Sequence, residues 1–226
     1  MANVGSTFRV TLTGRTPLLM HADNLEWADE LEAYRKLPAS QKNEGKANKA
    51  GDDRSPAWSW IGCLYHDGKV IALPLDNIMR VLMDGGALVP SGKRGSLKSA
   101  TQSGLMVGEP FWPLLIGGKP VEVAPIMALR NDPLFTTHQA TAKKLGFELF
   151  PKRVRIGQSK HVRVRPKFDQ WSTTGTVIAT DSLLADVKTL QAILDQAGCY
   201  KGLGDWRPGS RTPGPFGMFK AKVEAA

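Results

Sequence analysis

The stretch that decides the fold is residues 174–223, TGTVIATDSLLADVKTLQAILDQAGCYKGLGDWRPGSRTPGPFGMFKAKV. Its first seven residues, 174–180, alternate in the manner of a strand. Asp181 or Ser182 is a suitable N-cap for a helix over residues 183–197, whose apolar side chains fall on one face. This pattern predicts a strand followed by a helix that covers it.

The rest of the stretch predicts a loop and a last strand. Gly198 is expected to end the helix, and GLGDWRP, residues 202–208, has the glycine and proline content of a turn. Residues 216–223 then alternate as a strand. Gly202 and Gly204 permit close approach of the backbone to another group, and the loop is also basic at Arg207 and Arg211.

A similar order of elements is expected nearer the N-terminus. Residues 8–13, FRVTLT, alternate as a strand, and residues 23–36 have helical spacing with Asp23 or Asn24 as N-cap. Pro74 and Asp76 open a second helix over residues 75–84. The whole order predicts an α+β fold of the ferredoxin-like type, an antiparallel sheet with helices on one face.

Length and composition indicate one basic globular domain. The 226 residues, 42% of them hydrophobic, fit a single domain over residues 1–226, and the net charge of +9 favours nucleic acid as partner. No apolar run is long enough to span a bilayer, so we expect no membrane contact. The two cysteines and four histidines share no metal-ligand spacing. We therefore expect no metal, no cofactor and a reducing cytoplasm as the setting.

Three segments are expected to be insertions in this domain. Residues 38–57 are polar without periodicity and predict a surface loop. Residues 91–104 predict a basic loop that carries Lys93, Arg94 and Lys98. Residues 150–168 predict a basic β-hairpin.

The hairpin has the strongest charge pattern in the chain. Residues 152–167 contain seven Lys or Arg and no acid. The arginines alternate with valine and isoleucine on both sides of a turn at residues 157–160, which suggests a two-row basic face suited to phosphate. The expected contacts are Arg153, Arg155, Lys160, His161, Arg163, Arg165 and Lys167. An ordinary water-facing strand is the simpler alternative.

The terminal strand, helix, GLGDWRP loop and FGMFKAKVE strand together resemble the repeat-associated mysterious proteins, and among them the Cas7-like backbone subunits of CRISPR effector complexes. The opening FRVTLTGRTPLLMH, the helix LDNIMRVLMD and the basic GKRGSLKS segment look like the first half of that fold.

This resemblance implies an RRM-like palm that binds single-stranded RNA, with copies of the chain stacked head to tail and other effector subunits as partners. The residues that it carries over are Gly202, Gly204 and Arg207 of the loop, and Lys93, Arg94 and Lys98 of the basic segment. The arginines of the hairpin would follow phosphates without reading sequence.

Other functions remain open at this point. A phage or bacterial single-stranded DNA-binding or annealing protein would use the same basic surface, and a structural protein could carry its charge for solubility or an acidic partner. A metal-independent endoribonuclease of Cas6 type would need a catalyst, for which His21, Asp23 and His161 are weak candidates. We expect no catalytic residue. Trp58 and Trp60 are the expected stacking platforms for bases.

Overall fold

A computed structural model describes residues 5–38, 56–92, 94–156 and 159–226, without the side chains of 153–156 and 159–162. The chain groups into two compact units. Unit 1 consists of Met1–Leu18, Ala72–Pro120 and Asp169–Ala226, and unit 2 of Leu19–Ile71 and Val121–Phe168. Most of the predicted polar insertion, residues 39–55, and Lys93 of the basic loop lie outside the described residues.

Unit 1 is built on an antiparallel sheet, with strands numbered in chain order. The strands are β1 (Ser6–Gly14), β3 (Ala72–Pro74), β4 (Leu105–Val107), β5 (Phe111–Ile116), β6 (Lys119–Pro120), β9 (Ser172–Ala179) and β10 (Phe219–Ala225). Their order across the sheet is β10-β1-β9-β5-β3, with β4 also paired to β9 and β6 to β5. The predicted α+β class with an antiparallel sheet is confirmed.

Strand β9 lies between one long neighbour and two short ones. β1 pairs with it over its whole length, whereas β5 pairs with its first residues and β4 with its last. At the junction, the Glu109 carboxylate accepts hydrogen bonds from the backbone N and the hydroxyl of Thr176, at 2.8 and 2.7 Å. Glu109 thus satisfies a polar group that neither short strand reaches.

The helices of unit 1 are α2 (Leu75–Gly86), α3 (Lys98–Gly104) and α6 (Val187–Tyr200), with a 3₁₀ turn at Ser182–Leu184. α2 and α6 pack so closely at Gly85 that a side chain there would meet the carbonyl O of Ile193. On the sheet side, Phe8, Val10 and Leu12 of β1 are buried. Their alternation with exposed residues gives the sheet one covered face.

Two predictions in unit 1 need correction. The helix expected over residues 183–197 begins at Val187, because Asp186 is the N-cap that accepts from the N of Thr189. It also continues through Gly198, where the missing side chain lets Phe219 of β10 lie against the helix backbone. The basic loop expected over residues 91–104 ends early, since residues from Lys98 onward form α3.

The described part of unit 2 contains a three-stranded sheet and three α-helices. The sheet order is β2-β8-β7, where β2 is Leu18–Leu19 at the crossing between units, β7 is Glu148–Ile156 and β8 is Ser159–Phe168. The helices are α1 (Leu25–Lys36), α4 (Ala124–Met127) and α5 (Phe135–Lys144), with a 3₁₀ helix at Ala57–Cys63. The prediction of α1 with Asn24 as N-cap is confirmed.

Helix α5 had no sequence prediction, because its buried positions are weakly apolar. Phe135, His138 and Ala142 face the interior at helical spacing, but the middle one is a histidine. Trp60 explains the exception, since its indole Nε1 donates to His138 Nδ1 at 3.0 Å.

Within the described ranges, none of the helices has the length and apolarity to cross a membrane.

Candidate nucleic-acid interface

The unit 1 sheet carries exposed or half-buried side chains on the face opposite its buried apolar residues, which we call the outer face. Directly paired residues share a face, so the register defines this surface. Its residues are Thr7, Arg9, Thr11 and Thr13 of β1; Lys220, Lys222 and Glu224 of β10; Ser172, Thr174, Thr176 and Ile178 of β9; Met106 of β4; and Phe111, Pro113 and Leu115 of β5.

Cations and hydroxyl groups occupy the β1 and β10 side of the outer face. Arg9, Lys220 and Lys222 are all exposed. Lys222 forms an ion pair with Glu224 at 2.7 Å, which is worth little because both groups are in water. The hydroxyls of Thr11 and Thr174 are 3.0 Å apart across the strands. This side therefore offers exposed guanidinium and ammonium groups, beside hydroxyls, as hydrogen-bond donors to phosphate oxygens.

The predicted hairpin exists, but its register separates the arginines. The last pair of the β7–β8 ladder is Ile156↔Ser159, so odd positions of one strand face even positions of the other. Arg153 is opposite Val162, and Arg163 is opposite Lys152. The prediction of one two-row face with all the arginines is therefore wrong. Only a loop with an odd number of residues, or a bulge, would align them.

Arg165 is buried, which contradicts its predicted role on an exposed face. Its side chain is 6% exposed, and its guanidinium lies 3.3 Å from Cys63 Sγ and 3.3 Å from the ring nitrogens of His21. The 3₁₀ helix that carries Cys63 packs on β8 and covers this position. Arg163 is exposed, whereas Lys167 forms an ion pair with Glu148 at 2.8 Å.

The other four predicted contacts of the hairpin are Arg153, Arg155, Lys160 and His161. Their side chains lie outside the described residues. Their backbone pairing is the ladder given above.

The glycine-rich loop is a tightly bonded turn of unit 1. Gly202 and Gly204 have φ of 68° and 79°, and the N of Leu203 donates to the carbonyl O of Gly217 at 2.9 Å. Arg207 is tied to the carbonyl O of Lys201 at 3.1 Å and to Asp84 of α2 at 3.4 Å. These contacts give the loop and Arg207 a structural role that explains their residue types, while Arg211 is exposed.

The basic segment after α2 exposes its described cations. Arg94 and Lys98 are both exposed, and Lys98 opens α3. Beside this segment, Pro90 and Leu97 line a groove of about 370 Å³ together with Lys188 of α6. Phosphate could reach these cations from solvent.

The two predicted stacking tryptophans differ in burial, and both pack on other aromatic rings of unit 2. Trp60 is 1% exposed and packs on Phe147 and His138, so its predicted stacking on a base is wrong. Trp58 is half-buried and lies 5.4 Å from the ring of Trp27 and 6.4 Å from that of Tyr34. The Trp60 side chain thus belongs to the core of unit 2, whereas the stacking role of the half-buried Trp58 stays a prediction.

The weak catalytic candidates have different environments. His21 is half-buried beside Arg165, and its carbonyl O accepts from the Tyr65 hydroxyl at 2.8 Å. Asp23 is exposed. In the described part of the chain, no three His, Cys, Asp or Glu side chains are grouped so that they could hold a metal ion. Neither Cys63 nor Cys199 forms a disulfide.

The outer face is the surface that the sequence reading missed. The alternation of FRVTLT and FKAKVE already placed Arg9, Lys220 and Lys222 opposite buried residues. The missing information was that β1 and β10 are direct neighbours, with Arg9 opposite Glu224 and Thr11 opposite Lys222. Strands more than 200 residues apart in sequence give no local signal for such pairing.

Comparisons with known proteins add no relative. No protein-family model matches the chain, and a search of curated proteins returns no match.

Proposed function

We propose that this chain binds single-stranded nucleic acid on the outer face of unit 1 without catalysis, and that this nucleic acid is RNA. The observation that carries the proposal is the position of Arg9, Lys220 and Lys222 together on an uncovered sheet face beside a ladder of hydroxyl groups. Sheets with one face covered by helices can hold a single strand on the other. Arginine and lysine there would bind phosphates without reading the sequence.

The order of elements in unit 1 supports the finer fold proposal, a ferredoxin-like or RRM-like palm. Apart from the short elements β3, α3 and β6, the order along unit 1 is β1, α2, β4 with β5, β9, α6 and β10. The sheet order places β10 beside β1 and β1 beside β9. Such an order supports a split βαβ sandwich. Unit 2 would then be an insertion, since both of its segments interrupt unit 1.

We further propose that the protein is a Cas7-like backbone subunit. Copies would stack head to tail along a guide RNA in the cytoplasm, together with other effector subunits. Base pairing of the guide would supply the sequence specificity that a phosphate-binding surface lacks. Two cysteines that form no disulfide, Cys63 and Cys199, suit a reducing compartment.

The charge on the outer face determines the expected affinity for a single strand and its dependence on salt. Three cations stand against Glu224 and Glu109, of which Glu109 is bonded to Thr176. Three phosphate contacts to a single strand correspond to a slope of about −2 in log affinity against log salt. Binding of one copy should therefore be modest at physiological salt, and stacking of several copies along one strand would strengthen it.

Purification at moderate salt followed by nuclease digestion tests this function. We expect absorbance at 260 nm in excess of that of protein, lost after RNase and retained after DNase. A labelled single-stranded RNA should bind, remain uncut, and be preferred over a duplex of the same sequence. Tighter binding of the matching single-stranded DNA would favour the DNA-binding or annealing alternative, and binding of neither strand would contradict the proposal.

A further inference from the structure

The outer face changes character from one side of the sheet to the other. On β1 and β10 it carries the three cations, whereas on β4, β5 and the end of β9 it is apolar. Met106 is 56% exposed and is directly opposite Ile178 of β9. Pro113 and Leu115 continue this apolar side along β5. Exposed apolar side chains next to a cationic strip suggest a ligand that is itself part apolar and part anionic.

Phe111 is the aromatic residue of this apolar side. Trp112 and Leu114 alternate with it and are fully buried on the helix side, so the Phe111 ring lies on the outer face, 37% exposed. Trp112 packs on Gly175 of β9. Phe111 precedes Trp112 on β5 and lies outside the β5–β9 ladder, while Gly108 is the residue beside Thr176, which is directly opposite Arg9.

The distance between the two sides fits a nucleotide. β1 and β5 both neighbour β9, so these two strands are two interstrand spacings apart, about 10 Å, where they pair with it. Phe111 lies beyond the last β5–β9 pair, Leu114↔Thr173, so it is at least that far from Arg9. The arginine side chain and one nucleotide together can cover this distance from phosphate to base. Glu109, two residues before Phe111 in sequence, places a negative charge on the same side. Phosphate is therefore disfavoured beside Phe111, while a neutral base is not.

We propose that a single strand lies on the outer face in one orientation, with its phosphates along β1 and β10 and a base stacked on Phe111. This inference rests on the proposed function and adds the site of base contact to it. Stacking on an aromatic ring tolerates any base, because every base has a π face. The site therefore takes single-stranded nucleic acid without sequence preference and excludes duplexes, whose bases are already stacked.

Binding of two strands, one with bases and one abasic strand of the same length and backbone, tests this inference. Phe111→Ala should weaken binding of the base-containing strand by about 5- to 150-fold, and leave the abasic strand nearly unchanged. Phe111→Trp should retain binding of both. Phe111→Leu keeps apolar packing without a ring and should lose the same base-dependent part, which separates stacking from an effect on folding.

Tyr200→Ala is the matched control, because Tyr200 is an aromatic residue of unit 1 that is 60% exposed on helix α6. It should bind both strands as the unchanged protein does. If the unchanged protein binds the base-containing strand and Phe111→Leu binds it equally well, or weakens both strands alike, the stacking site is wrong while the proposed function stands. If the unchanged protein binds neither strand, both are wrong.

Discussion

His138 is a buried imidazole held in one neutral tautomer. Its Nδ1 accepts from the indole of Trp60 at 3.0 Å, so the proton is on Nε2, which donates to the carbonyl O of Asp132 at 2.9 Å. Burial lowers the pKa of His138 from its ordinary value of 6.5, against the smaller opposing effect of the Asp132 hydrogen bond. A second proton would also remove the acceptor that the Trp60 indole requires.

His138 should make the stability of the protein depend on pH. The pKa of His138 is lowered in the folded chain, so only the unfolded chain gains a proton as the pH falls below 6.5. The protein is therefore most stable above pH 6.5, and its free energy of unfolding decreases as the pH falls from 6.5 to the pKa of the folded chain. Urea unfolding at pH 7.5 and 5.5 should show this loss, up to about 1.4 kcal/mol from His138. The side chain of the His138→Gln variant cannot titrate. Its loss of stability between the two pH values should therefore be smaller than that of the unchanged protein by the His138 contribution. Parallel losses in the two proteins would contradict this account.

Arg165 and Arg163 differ in environment although they are two residues apart on one strand. Arg165 is buried against Cys63 and His21, and Arg163 is exposed. Arg165→Ala should lower the free energy of unfolding by about 2–3 kcal/mol, because it removes hydrogen bonds of a buried charged group, whereas Arg163→Ala should change it by less than about 0.5 kcal/mol. Denaturant titration of both variants measures the difference. Equal stabilities would mean that Arg165 has no structural role.

At the scale of elements, the glycine-rich loop shows why residue type alone does not reveal function. Trp206 has φ of 50° and its ring packs on Phe216, with centroids 5.5 Å apart. Gly217 has φ of 71°, and a side chain there would meet the carbonyl O of Leu203. Sequence reasoning predicted the turn, but a phosphate-binding loop and a self-bonded loop use the same glycines.

Two glycines with the same backbone conformation test the packing of this loop. Gly118 has φ of 80° and open space around it, while Gly217 is crowded by Leu203. Gly118→Ala should cost about 1–2 kcal/mol from conformation alone, and Gly217→Ala should cost at least about 3 kcal/mol because backbone must also move. Thermal unfolding compares them. A cost of Gly217→Ala no larger than that of Gly118→Ala would show that the loop is loosely packed.

For the whole molecule, the sequence predicted elements better than their partners. Strands β1, β9 and β10, the hairpin of β7 and β8, helices α1 and α2 and the α+β class follow from periodicity and caps, which are local signals. The short strands β2 to β6 had no such signal. The hairpin register depends on the parity of its loop, and the outer face depends on pairing between the first and last strands. The burial of Arg165 comes from Cys63, about 100 residues away. Such long-range contacts decided which cations remain available for a ligand.

The salt dependence of RNA binding tests the central claim most directly. Neutralising Arg9, Lys220 and Lys222 to Gln should reduce the slope of log affinity against log salt by about 2, since about 0.7 is lost for each phosphate. The control neutralises Arg35, Lys143 and Lys144 to Gln, three exposed cations of unit 2, and changes the net charge equally. We expect the control to keep the slope of the unchanged protein. An unchanged slope in the outer-face variant, or the same reduction in both, would contradict binding at the outer face.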